Sequence, residues 1–216
     1  MVTTALANRL PRLVAPWWHT AALVLVIVSV AVVGSLSSPG LPPSSRIAAV
    51  YVPTIIVQIA LVYWVSRAFR SRSVLRELVG RAVLLDVPIA LALAALVIAV
   101  ELVFGSANGS ALTILPRTGP ERLVWILLAV SVGFAEELVY RGYLVVQLRA
   151  FTRSTAAAVV LQALLFAIAH ANQGAGAMLR FACYALVFGV VAVRRGSLVP
   201  TILCHVAIDA LAAFKT

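Results

Sequence analysis

The chain reads as seven apolar stretches separated by short polar breaks. The stretches cover about residues 15–37, 47–66, 82–104, 123–145, 155–171, 177–193 and 197–214. Most approach the ~20 apolar residues that cross a bilayer as a helix. The breaks collect turn and charge residues: SPGLPPSSR, RAFRSRSVLRELVGR, GSANGSALTILPRTGPER, QLRAFTRST, NQGAG and RRG. The pattern predicts an all-α fold, a polytopic transmembrane helical bundle of about seven spans. No internal repeat, low-complexity tract or long hydrophilic stretch interrupts it.

Composition sharpens this picture. Of 216 residues, 63% are apolar and 11% charged, and the mean hydropathy is +1.08. A globular domain carries roughly 25% charged residues. A soluble domain, a disordered chain and a secreted disulfide scaffold are therefore excluded. The net charge of +10 comes from 16 Arg and 1 Lys against 5 Glu and 2 Asp. Confined to short loops, this excess sets topology and meets anionic membrane lipid; it is not a nucleic-acid footprint. Cys183 and Cys204 lie in different apolar stretches with no C-x-x-C, and read as small buried apolar residues.

Arg9 and Arg12 precede the first stretch as in a signal peptide. The run is too long and lacks a clear A-x-A site, so it is expected to remain as a first span. With the N-terminus cytoplasmic, eleven basic residues fall in inside loops and five in outside ones. This predicts an integral membrane protein, N-terminus in, of a prokaryotic cytoplasmic membrane, the Arg, Ala and Val bias pointing to a GC-rich genome. Trp17, Trp18 and Trp64 fall near span ends, where aromatic anchors belong.

The acids break the pattern. Five of seven lie inside apolar stretches: Asp86, Glu101, Glu136, Glu137 and Asp209. Each costs ~2.5–3.5 kcal/mol at a span centre even on lenient scales, so each needs a partner or a function. Asp86 and Glu101 lie near the ends of one stretch, where they reach an interface. Glu136 and Glu137 lie well inside the fourth. Glu137 and Arg141 are four apart and share a face, so they can pair. Glu136 points about 100° away and can face a cavity. A structural ion pair needs only one Glu, so the second argues for chemistry.

Phe166 and His170 are also four apart, as are His205 and Asp209. Either histidine alone reads as a packed core residue. Together with the glutamates they put polar groups on three spans, and one shared pocket is the simplest way to satisfy them in hydrocarbon. At 1.5 Å per residue, Glu136 lies about 14 Å from the end of its stretch at 145 and His205 about 12 Å from 197. His170, about 22 Å from 155, is deeper, and joins the others if its helix tilts or starts later.

Two chemistries remain open. Glu136 can act as general base on a water attacking a peptide carbonyl, with one imidazole orienting the water and the other, with Asp209, meeting the oxyanion. Alternatively Glu136, His170 and His205 ligate a divalent metal, typically Zn²⁺, that activates the water. There is no H-E-x-x-H, so a metal needs ligands from separate helices. A serine triad lacks its G-x-S-x-G, and Cys204 points ~100° from His205.

The run from Glu136 to Arg141 matches E-E-x-x-x-R, Phe166 to His170 matches F-x-x-x-H, and His205 to Asp209 matches H-x-x-x-N/D. In this order, on apolar stretches over roughly 120–214, the motifs resemble the CPBP family of intramembrane proteases (CAAX proteases and bacteriocin-processing enzymes, the Abi family). The type II CAAX prenyl endopeptidases are its eukaryotic members. The resemblance divides the chain into N-terminal transmembrane helices and basic loop, 1–119, and a catalytic helical core, 120–216. It implies an endopeptidase acting on a membrane-associated or lipid-anchored protein or peptide. Glu136 is then the base, His170 its assistant, and His205 with Asp209 the oxyanion or metal group. Glu137, Arg141 and Phe166 give structural support. Asp209 stands where many members carry Asn; as an oxyanion donor it must be protonated, as a metal ligand it is natural. The family is described both as metallo- and as glutamate-dependent. Two other classes stay in view: a catalytically silent immunity or scaffold protein, and a small proton- or metal-coupled transporter.

Overall fold

The computed structural model describes residues 14–36, 45–69, 79–80, 82–104 and 114–214. Among the described residues every regular element is helical. We number the α-helices α1 (Trp17–Leu36), α2 (Val52–Ala68), α3 (Asp86–Phe104), α4 (Gly119–Glu136), α5 (Val145–Thr152), α6 (Thr155–Ala169), α7 (Ala175–Arg195) and α8 (Val199–Leu211). Wide π-helical turns, Ile47–Tyr51 and Glu137–Leu144, lead into α2 and join α4 to α5. Among the described residues, four helices are long and apolar enough to cross a membrane: Ile47–Ala68, Asp86–Val103, Gly119–Thr152 and Ala175–Arg195. Three apolar helices are shorter: Trp17–Val32, Thr155–Ala169 and Val199–Phe214. These seven correspond to the seven apolar stretches.

Local chemistry sets the boundaries. Thr118 caps α4 in a capping box with Glu121, and Pro120 fills its first turn. Ser154 caps α6, accepting the Ala157 N–H at 3.2 Å. Gly196, at φ 61°, ends α7 in the left-handed region that favours glycine. Two expectations need correction. The fourth stretch does not stop near 145: the helical path is continuous for 34 residues, from Gly119 to Thr152. Its middle is not α-helical either, because Glu137–Leu144 takes wider i→i+5 turns. All eight residues of that segment are buried, so tertiary packing outweighs local preference there. Asp86 is the first residue of α3, at the end of its candidate span. It is 1% exposed and takes two bonds from Arg195, at 2.9 and 3.1 Å, tying α3 to the end of α7.

The bundle turns large apolar side chains outward. Leu25, Ile56, Leu91, Ile98, Leu102 and Leu127 are all exposed, the face a lipid-embedded protein presents. Inside, one end is closed by a buried polar cluster. Gln147 accepts from Val14 N at 2.8 Å and donates to Thr20 Oγ1 at 2.7 Å, and His19 Nδ1 lies 2.7 Å from the Tyr143 hydroxyl. His19 stacks on Trp64, with ring centroids 4.6 Å apart. The start of α1 is thereby fastened to the Tyr143–Gln147 stretch. Of the basic residues in the orientation count, Arg9, Arg12, Arg70, Arg72, Arg76, Arg81 and Lys215 lie outside the described residues.

The approach of α8 to α4 matters most for the site. A Cβ on Gly133 would stand 2.6 Å from Val206 Cγ2 and 2.9 Å from Val206 N. Only a missing side chain lets the two helices meet this closely. Gly133→Ala is expected to cost about 1–3 kcal/mol through overpacking and to push His205 off its partners. Thermal melting in detergent checks the first effect, and imidazole resonances the second.

Candidate active site

Glu136 closes α4, and Glu137 opens the π-helical turns that follow. Neighbours along a helix diverge, so the two carboxylates go to different partners. Glu137 is completely buried, with Oε1 3.2 Å from Arg141 Nη1. The expected Glu137–Arg141 pair is therefore present. The same oxygen also lies 3.0 Å from His205 Nδ1, a contact that links α8 to this turn. Glu136 turns the other way and lines a cavity of about 350 Å³. Its Oε2 is buried without a hydrogen-bond partner among the described residues, 3.8 Å from His205 Nε2.

His205 therefore joins three carboxylates. Its Nδ1 faces Glu137; its Nε2 faces Glu136 and Asp209, the latter at 3.6 Å. The shared face of His205 and Asp209, read from their spacing, is realised on α8.

His170 is held differently. It caps α6 at its C-terminal end and is followed by a short 3₁₀ turn, Ala171–Gln173, and by Gly174 at φ 91°. Its Nδ1 lies 2.8 Å from the Phe166 carbonyl oxygen. A carbonyl only accepts, so Nδ1 carries the proton in this bond and Nε2 is left as an acceptor. The ring stacks on Phe181 with centroids 3.9 Å apart and tilts against Phe166 at 4.7 Å. Phe166 thus supports the site twice, through its carbonyl and through its ring. Its ring also meets the Arg141 guanidinium, 4.4 Å from Cζ, with Phe188 at 5.5 Å. With Tyr140 at 5.9 Å, this buried arginine meets one carboxylate and three aromatic rings.

His170, expected to lie deeper than Glu136 and His205, shares their cavity, and the helix bearing Glu136 runs on to Thr152 instead of ending near 145. Glu136, Arg141, Phe166, His170, His205 and Asp209 all line the one cavity.

Several lining residues escape a reading of motifs. Phe181, Tyr184 and Phe188 fall on one face of α7 at helical spacing; Trp125, Leu128, Val132 and Glu136 do so on α4. The readable signal was an aromatic in register with a charged residue on the same helical stripe. Glu101, which the sequence assigns to an interface, also lines the cavity.

Glu136, His170 and His205 are the ligands expected for a metal. Among the described residues, no group of three or more His, Cys, Asp or Glu side chains is placed to hold a metal ion. The His170 ring is stacked on Phe181, its Nδ1 is committed to Phe166, and both His205 nitrogens face carboxylates. The residues as placed do not form a donor set, and no step below runs through a metal.

Comparison with known proteins bears on the same region. Residues 118–211 match the family model described as Type II CAAX prenyl endopeptidase Rce1-like. No curated protein and no solved structure matches the chain. The matched span runs from the Thr118 cap of α4 to the last residue of α8, and contains every residue of the three motifs. Over residues 118–211, less than half of its length, the chain is thus similar to the CAAX prenyl endopeptidases.

Proposed function

We propose that this chain is an intramembrane endopeptidase that hydrolyses a peptide bond in a membrane-associated or lipid-anchored protein or peptide. One observation carries the proposal: Glu136, His170, His205 and Asp209, from three helices, line one cavity inside an apolar bundle. The family match over residues 118–211 supports the same reaction class.

In this reading the Glu136 carboxylate takes a proton from a water, and the water oxygen attacks the scissile carbonyl carbon. His170 offers Nε2 as an acceptor, which orients the same water. The carbonyl oxygen gains the negative charge and is met from the His205–Asp209 side, where an N–H or a protonated carboxyl supplies the hydrogen bond. Glu136 then gives its proton to the leaving nitrogen, the C–N bond breaks, and an acid and an amine result. Glu137 is a positioning residue: its carboxylate is shared between Arg141 and His205 Nδ1.

Two outcomes test the mechanism in purified full-length protein with quenched, membrane-anchored peptides. Glu136→Gln is expected to lower kcat by about 10²–10⁴-fold, the range for a lost general base, without loss of thermal stability. His205→Gln is expected to lower kcat by about 10²–10³-fold, the range for one oxyanion donor. Wild-type cleavage that Glu136→Gln leaves intact would overturn the assignment of the base.

The same preparation separates the two water-activating schemes. A metal-free glutamate mechanism predicts cleavage that survives a chelator and no stoichiometric zinc by elemental analysis. One zinc per chain with chelator-sensitive cleavage would instead make His170 and His205 ligands, in a rearranged site.

A further inference from the structure

Trp125 supplies a half-buried donor that the proposed mechanism does not use. Trp125 stands on α4 eleven residues before Glu136, about three turns away on the same face, and lines the cavity with it. Its Nε1–H donates to the backbone carbonyl of Asp209 at 2.7 Å. That carbonyl belongs to the last turn of α8, Val199–Leu211, where helical carbonyls run out of N–H partners. A donor from a neighbouring helix therefore fixes the turn that carries the Asp209 side chain.

The indole is itself held. The ring of Tyr51 meets it edge-on, with centroids 5.4 Å apart and planes at 80°. Tyr51 is fully buried, and its hydroxyl donates to the Ile114 carbonyl at 2.6 Å. Beside it, Arg46 donates to the Leu115 carbonyl at 3.3 Å and pairs with Glu121 at 3.6 Å. Glu121 in turn accepts from the Arg117 and Thr118 N–H groups at 2.7 and 2.9 Å. Ile114 and Leu115 form part of the cavity wall. The strap 114–118 and the indole thus make one braced frame against the end of α8. A phenylalanine would fill the space of Trp125 but could not hold the Asp209 carbonyl.

We infer that Trp125 is a positioning residue for Asp209: by fixing the carbonyl of that residue it sets the 3.6 Å approach of the Asp209 carboxylate to His205 Nε2. The consequence for rate rests on the endopeptidase reading; the positioning itself does not.

The test uses full-length protein in detergent, labelled with ¹⁵N at its three histidines and four tryptophans. The Trp125 indole N–H is expected to exchange slowly with solvent, while those of the exposed Trp17 and Trp18 exchange freely. Trp125→Phe is expected to move the His205 imidazole resonances in the direction that Asp209→Asn moves them, leaving His19 unchanged. Its cleavage rate is expected to fall about tenfold, the scale of one buried hydrogen bond. Added to Asp209→Asn, it should lower the rate no further.

An indole N–H that exchanges as readily as that of Trp17 would overturn the inference, and needs no variant to fold. So would a Trp125→Phe protein with wild-type His205 resonances, or His205 resonances indifferent to Asp209→Asn. If the wild type cleaves none of the peptides, the endopeptidase reading fails, and the exchange and imidazole measurements still decide the positioning.

Discussion

Charge in hydrocarbon is the constraint on which this structure depends. A carboxylate, a guanidinium and two imidazoles cannot be left to lipid, and water is scarce at their depth. They must satisfy one another. Glu137 does most of this, because one of its oxygens lies within 3.2 Å of both Arg141 and His205. Arg141 also meets the rings of Tyr140, Phe166 and Phe188. Once these groups are gathered, the helices that bear them have little freedom. The turn after α4, the end of α6 and the middle of α8 must all meet at one cavity.

The rest of the architecture serves that meeting. Gly133 lets α8 come within backbone contact of α4. The π-helical turns keep all of Glu137–Leu144 buried while the helix runs on to Thr152. The Asp86–Arg195 pair and the Gln147 cluster fasten α3 and α1 to the ends of the core helices. The Asp86–Arg195 pair and the Gln147 cluster lie outside the cavity wall.

The site also divides its labour by environment. Two adjacent glutamates have the same chemistry and different surroundings. Glu137 is locked between a cation and an imidazole, and Glu136 opens onto the cavity with a buried, unbonded oxygen. Two imidazoles are likewise set apart. One gives its Nδ1 proton to a backbone carbonyl and keeps Nε2 as an acceptor; the other lies among carboxylates. In the proposed mechanism the base and the group that meets negative charge thereby stand 3.8 Å apart on the wall of one cavity.

By itself the sequence determined the helical class, the seven apolar segments and the pairing of residues four apart. These follow from apolar run length and from the helical repeat, which are local. It also singled out Glu136, His170, His205 and Asp209, because polar side chains in apolar stretches are costly and therefore informative. It could not show that Glu137 serves His205 as well as Arg141, since that contact joins residues 68 positions apart. Nor could it bring His170 into the cavity that Glu136 lines, because that cavity is closed by residues from separate helices. Trp125 belongs to no motif in the sequence. Only the tertiary structure gave its N–H a carbonyl to hold, because that partner is backbone on another helix and backbone leaves no mark in a sequence.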